Sequence, residues 1–334
     1  STQAKTLFPY TTLFRSVIYI VSMWTAGITQ GLMWRAIDSS GHLVYPDFLE
    51  TVIKIVPLYT VRAIGGGLYL ISFLIMFYNI LRTIQRAPKK LTPTLVSAYR
   101  LTPVPLEKLG DQPHRILEGL PTVFSVLTFL AVGAGTFIEL VPTFFADDYV
   151  AAMPNVKPYT GLQLHGRDIY VREGCYLCHS QMIRPILSET LRYGDYSREQ
   201  ESMYDRPFQW GSKRIGPDLA RLGGKYPDLW HYRHMLDPRE VSPGSVMPPY
   251  PWIFRDKADF GIIPKKLKVM KSLGVPYSDS DIAYAETNAR EEAKVIAEGL
   301  VNQGAPGTIE DKEIVALIAY LQRLGQDFRK GYIK

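Results

Sequence analysis

The residues best able to do chemistry stand together in Cys175-Tyr176-Leu177-Cys178-His179. Cys-x-x-Cys-His is the attachment spacing of a c-type haem: two thiols about one helical turn apart can form thioethers to both vinyl groups of one porphyrin, and the adjacent imidazole reaches the iron. A redox-active or zinc-binding Cys-x-x-Cys and a disulfide hairpin are the rival readings. Cys175 and Cys178 are the only 2 cysteines in 334 residues, so there is no second pair for a four-ligand zinc site and no disulfide framework. The motif predicts one covalent haem c with His179 on its iron.

An iron with one histidine needs either an open sixth position for chemistry or a second ligand for electron transfer. In Ser245-Val246-Met247-Pro248-Pro249 the sulfur of Met247 precedes a rigid proline pair, which suits a sixth ligand. A thioether prefers ferrous iron and raises the potential. Met182, Met203, Met235 and Met270 compete, and any methionine is by default a core filler. Met182 lies too near His179 in sequence to reach the other haem face; Met235 is the next candidate. Gly216-Pro217-Asp218-Leu219 resembles the Gly-Pro-x-Leu turn of class I cytochromes c. That resemblance implies that the Pro217 carbonyl accepts the second ring N–H of His179 and fixes its tautomer. An ordinary Gly-Pro turn is the alternative. The 38-residue separation of His179 and Pro217 predicts that roughly residues 184–211, rich in Tyr, Arg and Glu, loop out.

These groups need helices to hold them. From Asp311 to Gly325, Ile314, Leu317, Ile318, Leu321 and Leu324 recur at helical spacing, with Gly325 as the stop. The segment resembles the terminal helix of class I cytochromes c, which packs across the helix before the haem motif, here carrying Gly166, Ile169, Tyr170 and Gly174. Residues 256–304 read as a charged, mostly helical insertion with a solvated face.

A mean hydropathy of −0.04 averages two unlike regions. Val17–Trp34, Ala63–Leu81 and Gly119–Ile138 run 18, 19 and 20 residues without a charge, each long enough to cross a bilayer. No such run follows residue 150. The fold expected is mainly α: three transmembrane helices and a helical domain of the class I cytochrome c type with insertions. Residues 82–118 carry 7 basic and 3 acidic side chains, which marks the cytoplasmic side and places the haem domain in the periplasm of a bacterial inner membrane. The formal net charge of +6 is largely accounted for by this loop and calls for no nucleic-acid partner. Glu139 is either an intramembrane carboxylate or, the reading favoured, an interfacial one at a subunit contact. Gly65-Gly66-Gly67 lies inside an apolar run, so it is a site of close helix approach and not a phosphate loop. Residues 91–110, rich in proline, read as a linker. Residues 1–16 read as non-native sequence, and the chain as truncated at its amino end.

From about Leu117 onward, GTFIELVPTFF, GRDIYVREGCYLCHSQMIRP, RPFQWGSKRIGPDLARLGGKYPDLWH and SVMPPYPW are similar to the mono-haem subunit (subunit II) of cbb3-type cytochrome c oxidase. VSMWTAGITQGLMWRAI, YPDFLETV and RAIGGGLYL resemble the last two helices of that enzyme's catalytic subunit I. The resemblance implies a subunit I/II fusion: 17–86 the last two helices of subunit I, 87–116 a cytoplasmic linker, 117–146 the membrane anchor, and 147–334 the periplasmic cytochrome c domain. It implies electron transfer through one haem c to a haem b and a haem–copper core, with a di-haem subunit and a periplasmic cytochrome c as donors and membrane lipid around the helices. None of the 6 histidines lies in a predicted span, so the oxygen-reducing histidines are not in this chain. Trp210-Gly211-Ser212-Lys213-Arg214 resembles a segment near the oxidase's haem propionates and a bound calcium, which implies such contacts for Ser212, Lys213 and Arg214; surface charge is the plainer reading. The cytochrome c subunit of nitric oxide reductase and a thiol oxidoreductase using Cys175 and Cys178 are the alternatives.

Overall fold

The computed structural model describes residues 2–87, 113–149 and 154–328. Twelve α-helices follow in order among the described residues: α1 (Thr2–Arg35), α2 (Phe48–Arg86), α3 (Pro113–Glu118), α4 (Pro121–Tyr149), α5 (Gly161–Arg172), α6 (Leu187–Tyr193), α7 (Asp228–Leu236), α8 (Pro238–Val241), α9 (Ile263–Ser272), α10 (Asp279–Ala283), α11 (Ala285–Asn302) and α12 (Glu313–Arg323). No strand is found among these residues, only isolated bridges. The chain is mainly α, as its sequence pattern requires. Three helices are long and apolar enough to cross a membrane: Phe14–Arg35, Phe48–Arg86 and Pro121–Pro142. The second is longer than its uncharged run, because helix continues upstream of Ala63 and through Pro57. Glu139 is exposed near the end of the third span. Most of the expected linker, 87–116, lies outside the described residues.

The described residues up to Ile71 and from Pro154 onward form one compact body, and residues 72–149 another. In the first, α1 and α2 come together at Gly65, where a Cβ would meet the Tyr19 backbone nitrogen at 3.2 Å. Gly66 and Gly67 have open space instead.

The haem-motif region is organised by the crossing of α5 and α12. A helix that is apolar all round must be buried, and Glu313 to Leu321 of α12 are buried without a break. Gly166 makes the crossing close: a Cβ there would overlap the Ala316 carbonyl and stand 3.0 Å from the Tyr320 Cβ. The rings of Tyr170 and Tyr320 lie 5.4 Å apart beside it. α5 starts on a capping box in which Thr160 accepts from the Gln163 amide. The same Thr160 hydroxyl donates to Glu292 of α11 at 2.7 Å.

Residues 256–304 are mostly helical with an exposed face, as expected, but this segment and 184–211 are packed more closely than the sequence suggests. In α11, Ala285, Ala289, Ala293, Ala297 and Leu300 are buried. Small side chains at a four-residue period form a packing stripe that the surrounding charges conceal. Residues 184–211 also fold back: Asp205 is 5% exposed and pairs with the equally buried Arg167 at 3.0 Å.

Candidate haem site

Gly174 leaves α5 with φ +70°, a left-handed conformation that starts the short 3-10 turn Cys175–Leu177. His179 N donates to Cys175 O at 3.0 Å, closing the turn. Both thiols are free and half-buried. Burial pushes the Cys175 thiol up to about 12, whereas a nucleophilic redox cysteine needs a depressed value.

His179 Nδ1 lies 2.8 Å from the Pro217 carbonyl. A carbonyl only accepts, so Nδ1 carries the proton and Nε2 keeps its lone pair. Nε2 has no partner among the described residues. Burial holds this imidazole below its ordinary value, with the Pro217 hydrogen bond opposing. Gly216 stands against the ring: a Cβ there would lie 2.7 Å from Nε2 and 2.8 Å from Nδ1. The loop is locked by Asp218, whose carboxylate accepts from Ser180 Oγ at 2.6 Å, Met182 N at 2.9 Å and Ala220 N at 2.8 Å.

Cys175, Cys178, His179, Gly216, Pro217 and Met247 line one cavity of about 570 Å³, within the usual range of ~300–1,000 Å³ for cofactor pockets. Tyr170, Leu219, Leu222, Leu317 and Leu321 supply its apolar surface. Met247 is half-buried, with its amide on Ser245 Oγ at 3.2 Å. Met235 lines the cavity too, so two thioethers are within the site. Met270 is in the core, 6% exposed, and neither it nor Met182 or Met203 reaches the cavity. Ser212 and Lys213 are exposed and, like Arg214, absent from its lining. Arg214 is instead spent inside the protein, donating to Ser180 Oγ and Met182 O at 2.7 Å each and pairing with Glu189 and Asp218. Gly211 of the same segment packs on the motif backbone, where a Cβ would stand 3.0 Å from His179 O. Among the described residues, no three His, Cys, Asp or Glu side chains converge on a metal position.

Sequence reasoning missed several lining residues. His231 and His234, one turn apart on α7, both reach the cavity, and His231 Nε2 and His234 Nδ1 are buried without a hydrogen-bond partner. Burial lowers both to about 4, so both are neutral at ordinary pH. Their signal was the Trp230-His231-x-x-His234 spacing on one helix face. Pro46, Asp47, Phe48, Leu49, Val52 and Arg192 were missed as well.

A haem fits this donor set: two free thiols, an imidazole held as one tautomer, thioethers, an apolar lining, and buried ring nitrogens still lacking a partner. The sequence profile of the family described as cytochrome c oxidase, mono-heme subunit/FixO matches residues 114–328. The chain belongs to the FixO mono-haem family. Haem binding and membership of an oxidoreductase complex are the properties of that family, and both suit the cavity described. Other matches are to catalytic-subunit proteins. The cytochrome c oxidase subunit 1 homolog of Azorhizobium caulinodans is 56% identical over 71 residues, 21% of this chain and 13% of that protein. The bacteroid homolog of Bradyrhizobium diazoefficiens is 55% identical over 69 residues, 21% and 12%. The cbb3-type subunit CcoN1 of Stutzerimonas stutzeri is 49% identical over 72 residues, 22% and 15%. The chain therefore spans less than a sixth of the length of these subunit 1 relatives, and it is a cbb3 oxidase-related membrane protein.

Proposed function

We propose that the chain is an electron-transfer component of a cbb3-type cytochrome c oxidase. It joins the last two helices of subunit I (17–86) through a cytoplasmic linker (87–116) to the anchor (117–146) and periplasmic haem domain (147–334) of subunit II. Similarity to both a mono-haem family and subunit 1 proteins within one chain supports the fusion. A c-type haem, when bound, supplies one-electron redox chemistry. Cys175 and Cys178 hold it covalently, His179 presents Nε2 to the iron, Pro217 fixes the ring, and Met247 offers the second ligand. His231 and His234 provide neutral polar groups in an otherwise apolar cavity. The donors are the di-haem subunit and a periplasmic cytochrome c, and the acceptor is the haem b and haem–copper core, which reduces oxygen.

The observation that carries this reading is the convergence of both thiols, the Pro217-bound His179 and Met247 in one cavity. Its test is a pyridine haemochrome spectrum. A covalent c-type signal is expected in the wild type, a single-thioether product at best in Cys175→Ala, and no stable loading in Cys178→Ala. Full covalent haem in the double alanine variant would overturn the assignment.

A further inference from the structure

The cavity holding Cys175, Cys178 and His179 is not closed by the cytochrome domain alone. Pro46, Asp47, Phe48, Leu49 and Val52, from the α1–α2 connection and the first turns of α2, line it as well. Phe48 and Val52 are 8% and 3% exposed, whereas Ile53, next in the chain, is 55% exposed and most of α2 beyond Ile55 is exposed. Something specific covers these two residues, and Arg192 of α6 is well placed to hold the segment against the domain. Its Nη1 donates to the carbonyls of Tyr45 and Pro46, both at 2.8 Å. Its direct hydrogen bonds go to this backbone, and the carboxylates of Glu50 and Asp47 in the same segment attract it at longer range. Two further contacts flank the clamp. Gln30 Nε2 donates to the Arg214 carbonyl at 3.2 Å, and Gly244 packs so close to α2 that a Cβ there would stand 3.1 Å from Ile53 Cγ1. The Phe48 ring in turn lies 5.4 Å from Trp34, at the end of α1.

We propose that residues 46–52 are the closing wall of the haem cavity, docked by Arg192. The inference rests on the haem and fusion readings above. Its physical content is water exclusion. Ferric haem carries one more positive charge than ferrous haem, so water admitted to the cavity stabilises the ferric form and lowers the potential. A wall contributed by subunit I therefore ties the haem's working potential to the docked state. An undocked cytochrome domain would be a poorer oxidant of its donor and more open to adventitious reductants.

The test uses the membrane-extracted oxidase complex with Arg192→Leu, Arg192→Lys and Phe48→Ala. Amide hydrogen exchange over residues 45–52, a readout independent of haem, is expected to quicken several-fold in Arg192→Leu and to be partly restored in Arg192→Lys. Covalent haem content should stay at the wild-type level. The haem potential should fall in Arg192→Leu and in Phe48→Ala, and reduction by dithionite should become several-fold faster. Unchanged exchange in Arg192→Leu would overturn the docking assignment. Faster exchange with unchanged potential and dithionite rate would overturn the closing-wall role. Loss of covalent haem from Arg192→Lys as well as Arg192→Leu would also overturn it, because the residue would then serve loading and not closure. Absence of a c-type haemochrome from the wild-type complex would instead defeat the haem reading, leaving the exchange result to decide the docking.

Discussion

Gly216 is the position where one methyl group tests the site most directly. An added Cβ would stand 2.7 Å from His179 Nε2 and 2.8 Å from Nδ1, where ordinary contact begins near 3.4 Å. Ring or loop must therefore move by well over half an ångström. If the ring moves, it leaves the Pro217 carbonyl, and a hydrogen bond of about 0.5–1.5 kcal/mol is lost. If the loop moves, Pro217 travels with it, but Gly216 N→Cys178 O at 3.0 Å and Leu219 N→Ser180 O at 2.8 Å are strained instead. Either way the overpacking cost is about 1–3 kcal/mol, which for a domain of this size lowers the melting temperature by roughly 2–4 °C per kcal/mol. Gly216→Ala should thus melt several degrees early, with covalent haem retained and a high-spin component in its spectrum, because thioether formation does not require the ring in place. Gly299→Ala on α11 is the control of opposite sign. No atom lies within 4 Å of its Cβ, so helix propensity alone should stabilise by about 0.5–1 kcal/mol. Thermal unfolding followed in the Soret region, with the optical spectrum of each variant, decides it. Wild-type melting and a purely low-spin spectrum in Gly216→Ala would refute the contact.

Gly166→Ala should cost more, roughly 3 kcal/mol or above, because the Cβ overlaps a carbonyl of the buried α12 and neither helix can yield; chemical denaturation of the domain measures it. His165, 6% exposed, is lowered from 6.5 to about 4 by burial, then by Lys266, against weaker opposing effects of Asp168, Glu313 and Asp259. The unfolded chain takes up that proton first as pH falls. The contribution is therefore complete above pH 6.5 and disappears toward pH 4, at most about 3 kcal/mol, and His165→Gln should flatten the stability profile across that window. Met247→His should keep a low-spin haem but lower its potential, since imidazole stabilises ferric iron more than a thioether does. A redox titration unchanged from wild type would pass the ligand role to Met235, the other cavity-lining thioether.

What could be read from the chain follows the sequence distance over which each feature is encoded. The Cys175–His179 spacing, the uncharged spans and the periodicity of α12 are local patterns, and each corresponds to an element of the structure. The 38-residue link from His179 to Pro217 was legible only through resemblance, because no periodicity connects a ring nitrogen to a distant carbonyl. The alanine stripe of α11 was concealed because alanine is a weak hydrophobic signal and Glu and Lys surround it. The meeting of Arg192 with the segment after Trp34 left no trace, although YPDFLETV itself carried the subunit I resemblance. The meeting spans 146–147 positions and is made through backbone carbonyls, whose partners are independent of residue type.

That last contact gives a physical reason for the long excursion between His179 and Pro217. The segment does more than fill space, since buried polar contacts run from the haem loop to α6, the helix that carries the docking residue. Asp218, next to Pro217, holds Ser180 Oγ and pairs with Arg214 at 3.3 Å; Arg214 pairs with Glu189 at 2.5 Å; and Glu189 lies on α6, the helix that carries Arg192. Arg214 and Glu189 side chains are only 6% and 9% exposed, so removing either takes one partner from a buried charge that keeps only its other one, Asp218 for Arg214 and Arg184 for Glu189. Glu189→Gln should therefore disturb both ends at once, loosening residues 45–52 in hydrogen exchange and shifting the spectrum of the His179-ligated haem. Arg192→Leu should loosen the wall while sparing the Pro217 loop. An equal effect of the two variants on loop and wall would mean that the network is only scaffold, and that the insertion serves docking through Arg192 alone.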